Sequence, residues 1–200
     1  MVVTTLPIYA AWTPTQTKVN EIANMARSIG LSEDNPIIKE SSRIWWEEQD
    51  RVISEAAEQA SKEAELQAFL NEHYSDAVAM AGTMYAEARG LDKREMSMIC
   101  WTILNRWDSG RFGSTLHSVI WAKSQFAHSN RKVADNGVDL VWLAQDVLTR
   151  YWKEKNGEQN VGRTLPKGYL FYYGDGRHNY FRVTNSGRGA YNFGLWDPYQ

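Results

Sequence analysis

Met96, Ile99, Cys100, Ile103, Leu104 and Trp107 stand at i, i+3, i+4, i+7, i+8 and i+11, so a helix over this segment carries one continuous apolar face. Asp92 precedes it with Glu95 three residues on, the pattern of a capping box. Asp108-Ser109-Gly110 ends it. No other stretch constrains the fold as strongly, and this helix is predicted to be the central packing element. Upstream, Ala77, Met80, Ala81, Met84, Tyr85 and Ala88 give a second apolar face that runs to Gly90. Downstream, residues 115–122 read as a short helix burying Leu116, Val119 and Ile120. Residues 138–155 read as a longer helix with Val141, Ala144, Leu148, Tyr151 and Trp152 on one side.

Beyond Gly157 the period changes. Residues 169–173 and 179–183 are aromatic and β-branched runs joined by Gly174-Asp175-Gly176-Arg177-His178, which predicts a hairpin. At the other end, residues 1–13 read as extended or irregular. Thr13-Pro14 opens a helix with Val19, Ile22, Ala23, Ala26 and Ile29 at helical spacing, closed by Gly30. Asn35-Pro36 repeats the start signal before a long charged helix reaching about Tyr74. Its stripe of Ile53, Ala56, Ala57, Ala60 and Ala64 allows close approach of another helix but buries little area. The expected fold is mainly α with a small C-terminal β-hairpin. It divides into an N-terminal helical segment, residues 1–75, that docks a protein partner, and a second domain, residues 76–200.

A net charge of −2 argues against a nucleic-acid binder that depends on a broad positive field. No apolar run reaches the roughly 18 residues of a membrane-spanning helix, so no membrane insertion is expected. The opening MVVTTLPIYAAWTPTQ lacks the basic and apolar regions of a signal peptide, which implies synthesis in the cytoplasm. Cys100 is the only cysteine, and its helical setting predicts a buried thiol. His73, His117, His128 and His178 are scattered without metal-ligand spacing, and neither a nucleophile elbow nor a phosphate loop is present. Neither metal nor cofactor is expected. Nine Trp, ten Tyr and six Phe supply flat faces with polar edges, suited to sugar rings and equally to cores and interfaces.

Most of the acids, Glu47, Glu48, Glu55, Glu58, Glu63 and Glu65 among them, sit in charged company that predicts a solvated face. Glu87 instead stands among Tyr85, Ala86 and Ala88, close to a helix end. Desolvation disfavours the charged form of a carboxyl, and an acid that keeps its proton near neutrality can protonate a leaving-group oxygen. A surface pair with Arg89 or Arg94 is the competing reading, and spacing alone does not decide between them.

Five segments stand in order: MYAEARG at 84–90, ILNRW at 103–107, SGRFGSTLHSVIW at 109–121, Gln125-Phe126, and GRHNYFR at 176–182. Together they resemble the cell-wall hydrolases typified by the catalytic domain of spore-cortex-lytic enzymes. The resemblance covers residues 76–182 and leaves residues 1–75 unaddressed. It implies a lysozyme-like body, a helical core with a small β element beside a glycan groove. It also implies cleavage of peptidoglycan at the β-1,4 bond between N-acetylmuramic acid and N-acetylglucosamine, with Glu87 as the catalytic acid. Two departures fall beside the motifs: Leu91-Asp92-Lys93-Arg94 follows the motif's glycine where a second acid or polar residue is usual, and Gly113 replaces the usual proline.

Glycoside hydrolysis usually employs two carboxylates. Asp92, Asp108 and Asp135 each have a cap or turn explanation, which favours a lytic transglycosylase in which Glu87 acts first as acid and then as base. Tyr85, Arg89, Gln125, Phe126, Tyr172 and His178 are the candidate substrate-binding residues, while Asn105-Arg106 reads as a loop-holding pair. A water-using muramidase remains an alternative. So does a non-catalytic virion or structural protein that retains the body. The missing export signal points to a phage or virion setting, with action on the cell wall after release.

Overall fold

A computed structural model describes residues 14–32, 34–127, 134–135 and 137–200, without the side chains of residues 14–19 and 22. The irregular run expected over residues 1–13 lies outside the described residues, as do His128 and the side chains of Val19 and Ile22. Contacts divide the chain into two compact units, Met1–Ala64 and Glu65–Gln200.

In the first unit, α1 (Pro14–Ser28) begins at the proline. It closes with the Gly30 N–H donating to Arg27 O at 3.0 Å and the Leu31 N–H to Ala26 O at 3.1 Å. Ala23 and Ala26 are buried, but Ile29 falls just past the last turn and is exposed. Helix α2 (Pro36–Glu72) carries exposed i,i+3 and i,i+4 pairs of Arg43 with Glu40 and Glu47, and of Arg51 with Glu48 and Glu55. Ile53, Ala56, Ala57, Ala60 and Ala64 are all exposed.

The division between the units falls inside α2, ahead of the boundary expected at residue 75. The reason is apolar: Phe69 and Leu70, on the last two turns of that helix, pack against the core of the second unit. That core is built by α3 (Tyr74–Ala88), α4 (Lys93–Ser109), α5 (Leu116–Ile120) and α6 (Leu140–Lys155). Helix α3 buries Ala77, Met80, Ala81, Met84 and Ala88 as its spacing requires. It stops where Gly90 takes φ +83°, a left-handed conformation that costs glycine nothing.

Helix α4 is more than amphipathic. Besides the predicted face it buries Met98, Trp101, Thr102, Asn105 and Arg106, because α3, α5 and α6 all pack on it. Burying each large apolar side chain contributes about 1.5–3 kcal/mol. Thr102 Oγ1 donates to Met98 O, and Asn105 Nδ2 to the carbonyls of Pro166 and Tyr169, both at 3.0 Å, whereas the buried Trp101 Nε1 has no hydrogen-bond partner. The capping box is only half formed. Asp92 accepts from the Glu95 N–H at 2.8 Å, but the Glu95 carboxylate turns away to the hairpin.

A complete capping box stands instead at α5, between Thr115 and Ser118. It explains Gly113, because a Cβ there would press into the Ser118 side chain. Helix α6 begins two residues later than expected, capped by Asp139, and buries Leu140, Leu143, Ala144, Val147, Leu148 and Tyr151. Val141 and Trp152, placed on this face by sequence, are only half-buried.

Two hairpins complete the unit. The first, β1 (Ala134–Asp135) with β2 (Val138–Asp139), was not expected. The second, β3 (Phe171–Gly174) with β4 (Asn179–Arg182), is the predicted C-terminal one, pairing Phe171 with Arg182 and Tyr172 with Phe181. A bridge from Phe181 to Ala190 ties the tail to β4. Among the described residues no helix is long and apolar enough to cross a membrane.

Candidate active site

Glu87 sits one residue before the end of α3, half-buried, and lines two clefts at once. The larger, about 450 Å³, is walled by Arg106 of α4, by Phe112, and by Phe171 and Tyr172 of β3. Ser124 and Gln125 close its far side. The smaller, about 120 Å³, runs between Arg89 and the turn of the C-terminal hairpin, with His178 and Asn179 on its edge.

The carboxylate of Glu87 is held, not merely displayed. Its Oε1 accepts from the backbone N–H of Ala127 at 2.5 Å. Ser124 makes this contact possible by taking φ 61°, a left-handed conformation unusual for a non-glycine residue, which turns residues 125–127 back toward α3. Tyr172 lines the same cleft, and burial together with the Glu87 charge pushes its phenol far above the ordinary tyrosine value, so Tyr172 stays neutral. A backbone donor and a neutral phenol stand by Glu87 in place of the apolar shell its sequence neighbours suggested.

Arg106 is the residue that sequence reasoning undervalued. Its Nε donates to Leu170 O at 2.7 Å, the loop-holding role expected of it. Its guanidinium also donates to Gln125 Oε1 at 3.3 Å and lies over the rings of Phe126 and Phe112, at 4.4 and 4.7 Å from their centroids. Burial lowers its pKa, while the Glu87 charge acts in the opposite sense. A charged residue in the last turns of an otherwise apolar helix was the available signal.

Of the six predicted substrate-binding residues, Gln125 and Tyr172 line the larger cleft, and Arg89 and His178 the smaller. Phe126 forms the wall behind, stacked on Tyr172 at 6.4 Å. Tyr85 lies in neither lining; it packs against the core, with the Arg89 guanidinium 5.6 Å from its ring centre, and its presence raises the Arg89 pKa.

Compared with family models, curated proteins and solved structures, the chain finds no match. The chemistry of the site is therefore read from its own geometry. The three aspartates near it in sequence are engaged elsewhere. Asp92 caps α4, Asp108 accepts from the Tyr151 hydroxyl at 2.7 Å and pairs with Lys155, and Asp135 accepts from the Gly90 N–H at 2.6 Å. Among the described residues lining the two clefts, Glu87 is the only acid. No three His, Cys, Asp or Glu side chains converge as metal ligands among those residues.

A buried layer behind the site was also missed. Glu95 is 4% exposed, its Oε1 lies 2.5 Å from His178 Nδ1, and its Oε2 accepts from the Asn179 N–H at 3.1 Å. Asn179 in turn donates its side-chain amide to the backbone carbonyl of Glu87 at 2.9 Å. The hairpin is thereby tied both to the start of α4 and to the end of α3.

Proposed function

We propose that this chain cleaves the glycan strand of peptidoglycan at the β-1,4 bond between N-acetylmuramic acid and N-acetylglucosamine, as a lytic transglycosylase. The observation that carries the reading is a lone carboxyl, Glu87, set where two clefts meet, with its position held by the Ala127 N–H and with Tyr172 lining the same cleft. Two clefts on either side of one acid suit a polymer bound across the scissile bond. The ordered motifs from MYAEARG to GRHNYFR support the same reading, as does a helical body with a hairpin beside the cleft, the arrangement of a lysozyme-like fold.

In this mechanism protonated Glu87 gives its proton to the glycosidic oxygen as the C1–O bond breaks. The resulting carboxylate then takes the proton from the C6 hydroxyl of the muramoyl residue, and O6 bonds to C1 to close a 1,6-anhydro ring. The acid is regenerated and no water is consumed. The Ala127 N–H holds the carboxyl in place through both transfers, which limits the reorganisation each one requires, and the neutral Tyr172 phenol stands in the same cleft. Arg106 and Gln125 supply donors toward the sugar substituents. The exposed Trp46 and Ile53 of α2 support a protein partner for the N-terminal segment.

The test is a digest of purified peptidoglycan with the intact chain and with Glu87→Gln, which keeps the side-chain shape and removes the titratable proton. The variant is expected to lose activity by about 10²-fold or more at unchanged thermal stability. Products of the intact chain are expected to be lighter by one water than those of a hydrolase. Sustained lysis by Glu87→Gln overturns the role of Glu87, and hydrated reducing ends assign the water-using muramidase instead.

A further inference from the structure

A third cleft, of about 320 Å³, lies between the segment that follows α6 and the C-terminal tail, and its lining shares no residue with either cleft at Glu87. Trp196 stands on its rim. At 68% exposure it is the most exposed large hydrophobic side chain among the described residues of the second unit. Leaving an indole in water forgoes the burial that usually places Trp inside or at an interface.

The exposure is built, not incidental. Trp196 rests on Gly162, where an added Cβ would come within 3.0 Å of the indole Cζ3 and would also press into Arg150. Gly162 takes φ +77°, so both backbone and space at this position call for glycine. Across the cleft, Asn160 holds φ 55°, again left-handed, and carries an exposed amide next to that of Gln159. The floor is fixed by Arg163, which pairs with Glu154 at 3.1 Å, donates to Asn105 Oδ1 at 2.9 Å and lies 4.0 Å from the ring centre of Trp101.

The charges of the lining balance, two acids against two bases, so the cleft selects neither an anion nor a cation. What it presents is a flat apolar ring, side-chain amides and a rigid polar floor. That combination fits a neutral ring with one apolar face and a periphery of hydroxyl and amide groups. The geometry points to an accessory saccharide-binding site, with Trp196 stacking on a pyranose and Asn160 and Gln159 bonding its substituents. Its role rests on the glycan-cleaving reading: the site holds a second stretch of the same polymer while Glu87 acts elsewhere on it, raising the local concentration of substrate.

The experiment follows the Trp indole N–H resonances of the full chain carrying Glu87→Gln, with the Trp196 signal assigned from its loss in Trp196→Phe. The probes are the tetramer of β-1,4-linked N-acetylglucosamine and, separately, a muramoyl stem peptide free of sugar. A saturable shift of the Trp196 signal with the tetramer is expected. So is a weakening of sedimentation with insoluble peptidoglycan by about tenfold in Trp196→Ala. No shift at millimolar tetramer overturns the site, and so does a shift with the stem peptide alone. Because binding is read on a chain unable to cleave, failure of the Glu87 mechanism leaves this result standing, and the lysis assay with Glu87 intact reports on that mechanism separately.

Discussion

The Nδ1 of His178, on the C-terminal hairpin, lies 2.5 Å from Oε1 of Glu95, eighty-three residues earlier on α4. The carboxylate is almost fully enclosed, and its second oxygen holds the Asn179 N–H. Replacing Glu95 with Ala leaves the buried Asn179 N–H without its acceptor and the partly exposed His178 ring without its partner, which costs about 1–3 kcal/mol. Urea midpoints are expected to fall accordingly, with Glu95→Gln losing less because it keeps an acceptor oxygen. The proposed cleavage of peptidoglycan is expected to fall further in Glu95→Ala, since Asn179 then fixes the carbonyl of Glu87 less well. Unchanged midpoints would show that the pair carries no stability.

Tyr172→Phe removes the hydroxyl that lines the Glu87 cleft while keeping the ring stacked on Phe126. The expected result is a drop in turnover of about tenfold to a hundredfold with thermal stability nearly unchanged. Single-turnover digestion of soluble glycan fragments separates this from a binding defect, because the loss should appear in the rate at saturation. Wild-type turnover in the variant would remove Tyr172 from the mechanism.

Alkaline pH should weaken the fold in a specific way. Burial, then the Asp108 bond, pushes the Tyr151 phenol far above its ordinary value, and burial with Asp146 does the same for Tyr199. In the unfolded chain each ionises near pH ~10. Above that pH the unfolded state releases protons that the folded state keeps, so the stability present below pH ~10 is lost as pH rises further. For Tyr151 the slope approaches about 1.4 kcal/mol per pH unit. Denaturation midpoints at a series of alkaline pH values should decline more gently in Tyr151→Phe, and equal slopes would refute the assignment.

A chain of residues 65–200 is expected to fold more stably than one of residues 76–200. The shorter fragment lacks Phe69 and Leu70 and the contact of Phe69 with His73, whose ring meets Trp107 at 5.5 Å. Partial burial of two large apolar side chains is worth about 2 kcal/mol. Thermal denaturation of the two fragments decides it, and equal midpoints would place the boundary where the sequence alone suggested.

Helices α3 to α6 and the C-terminal hairpin were legible because each rests on local terms: apolar residues recurring at one period, with a side-chain cap at the start of α4, α5 and α6 and a left-handed glycine just beyond α3 and α4. The segment 134–139 hid its hairpin because two strands of two residues show no period. Glu95 was misread because a capping box and a long-range ion pair begin from the same residue types, and only the position of the hairpin chooses between them. Arg106 was half read: its hold on Leu170 follows from a polar residue on a buried helix, whereas its place beside Gln125 depends on where the 124–127 turn comes to rest.

By itself the sequence determined the succession of helices, most of the apolar faces that α3, α4 and α5 bury, the C-terminal hairpin, and Glu87 as the acid set apart from its charged neighbours. Tertiary structure alone decided that the Ala127 N–H meets the Glu87 carboxylate, that Tyr172 lines the same cleft, and that Asp92, Asp108 and Asp135 turn to other tasks. It also set Trp196 on Gly162 beside a separate cleft. The physical reason is one of range. Periodicity and capping act within a few residues, while a carboxylate's partners are chosen among segments forty to ninety residues away, once the core has fixed where those segments lie.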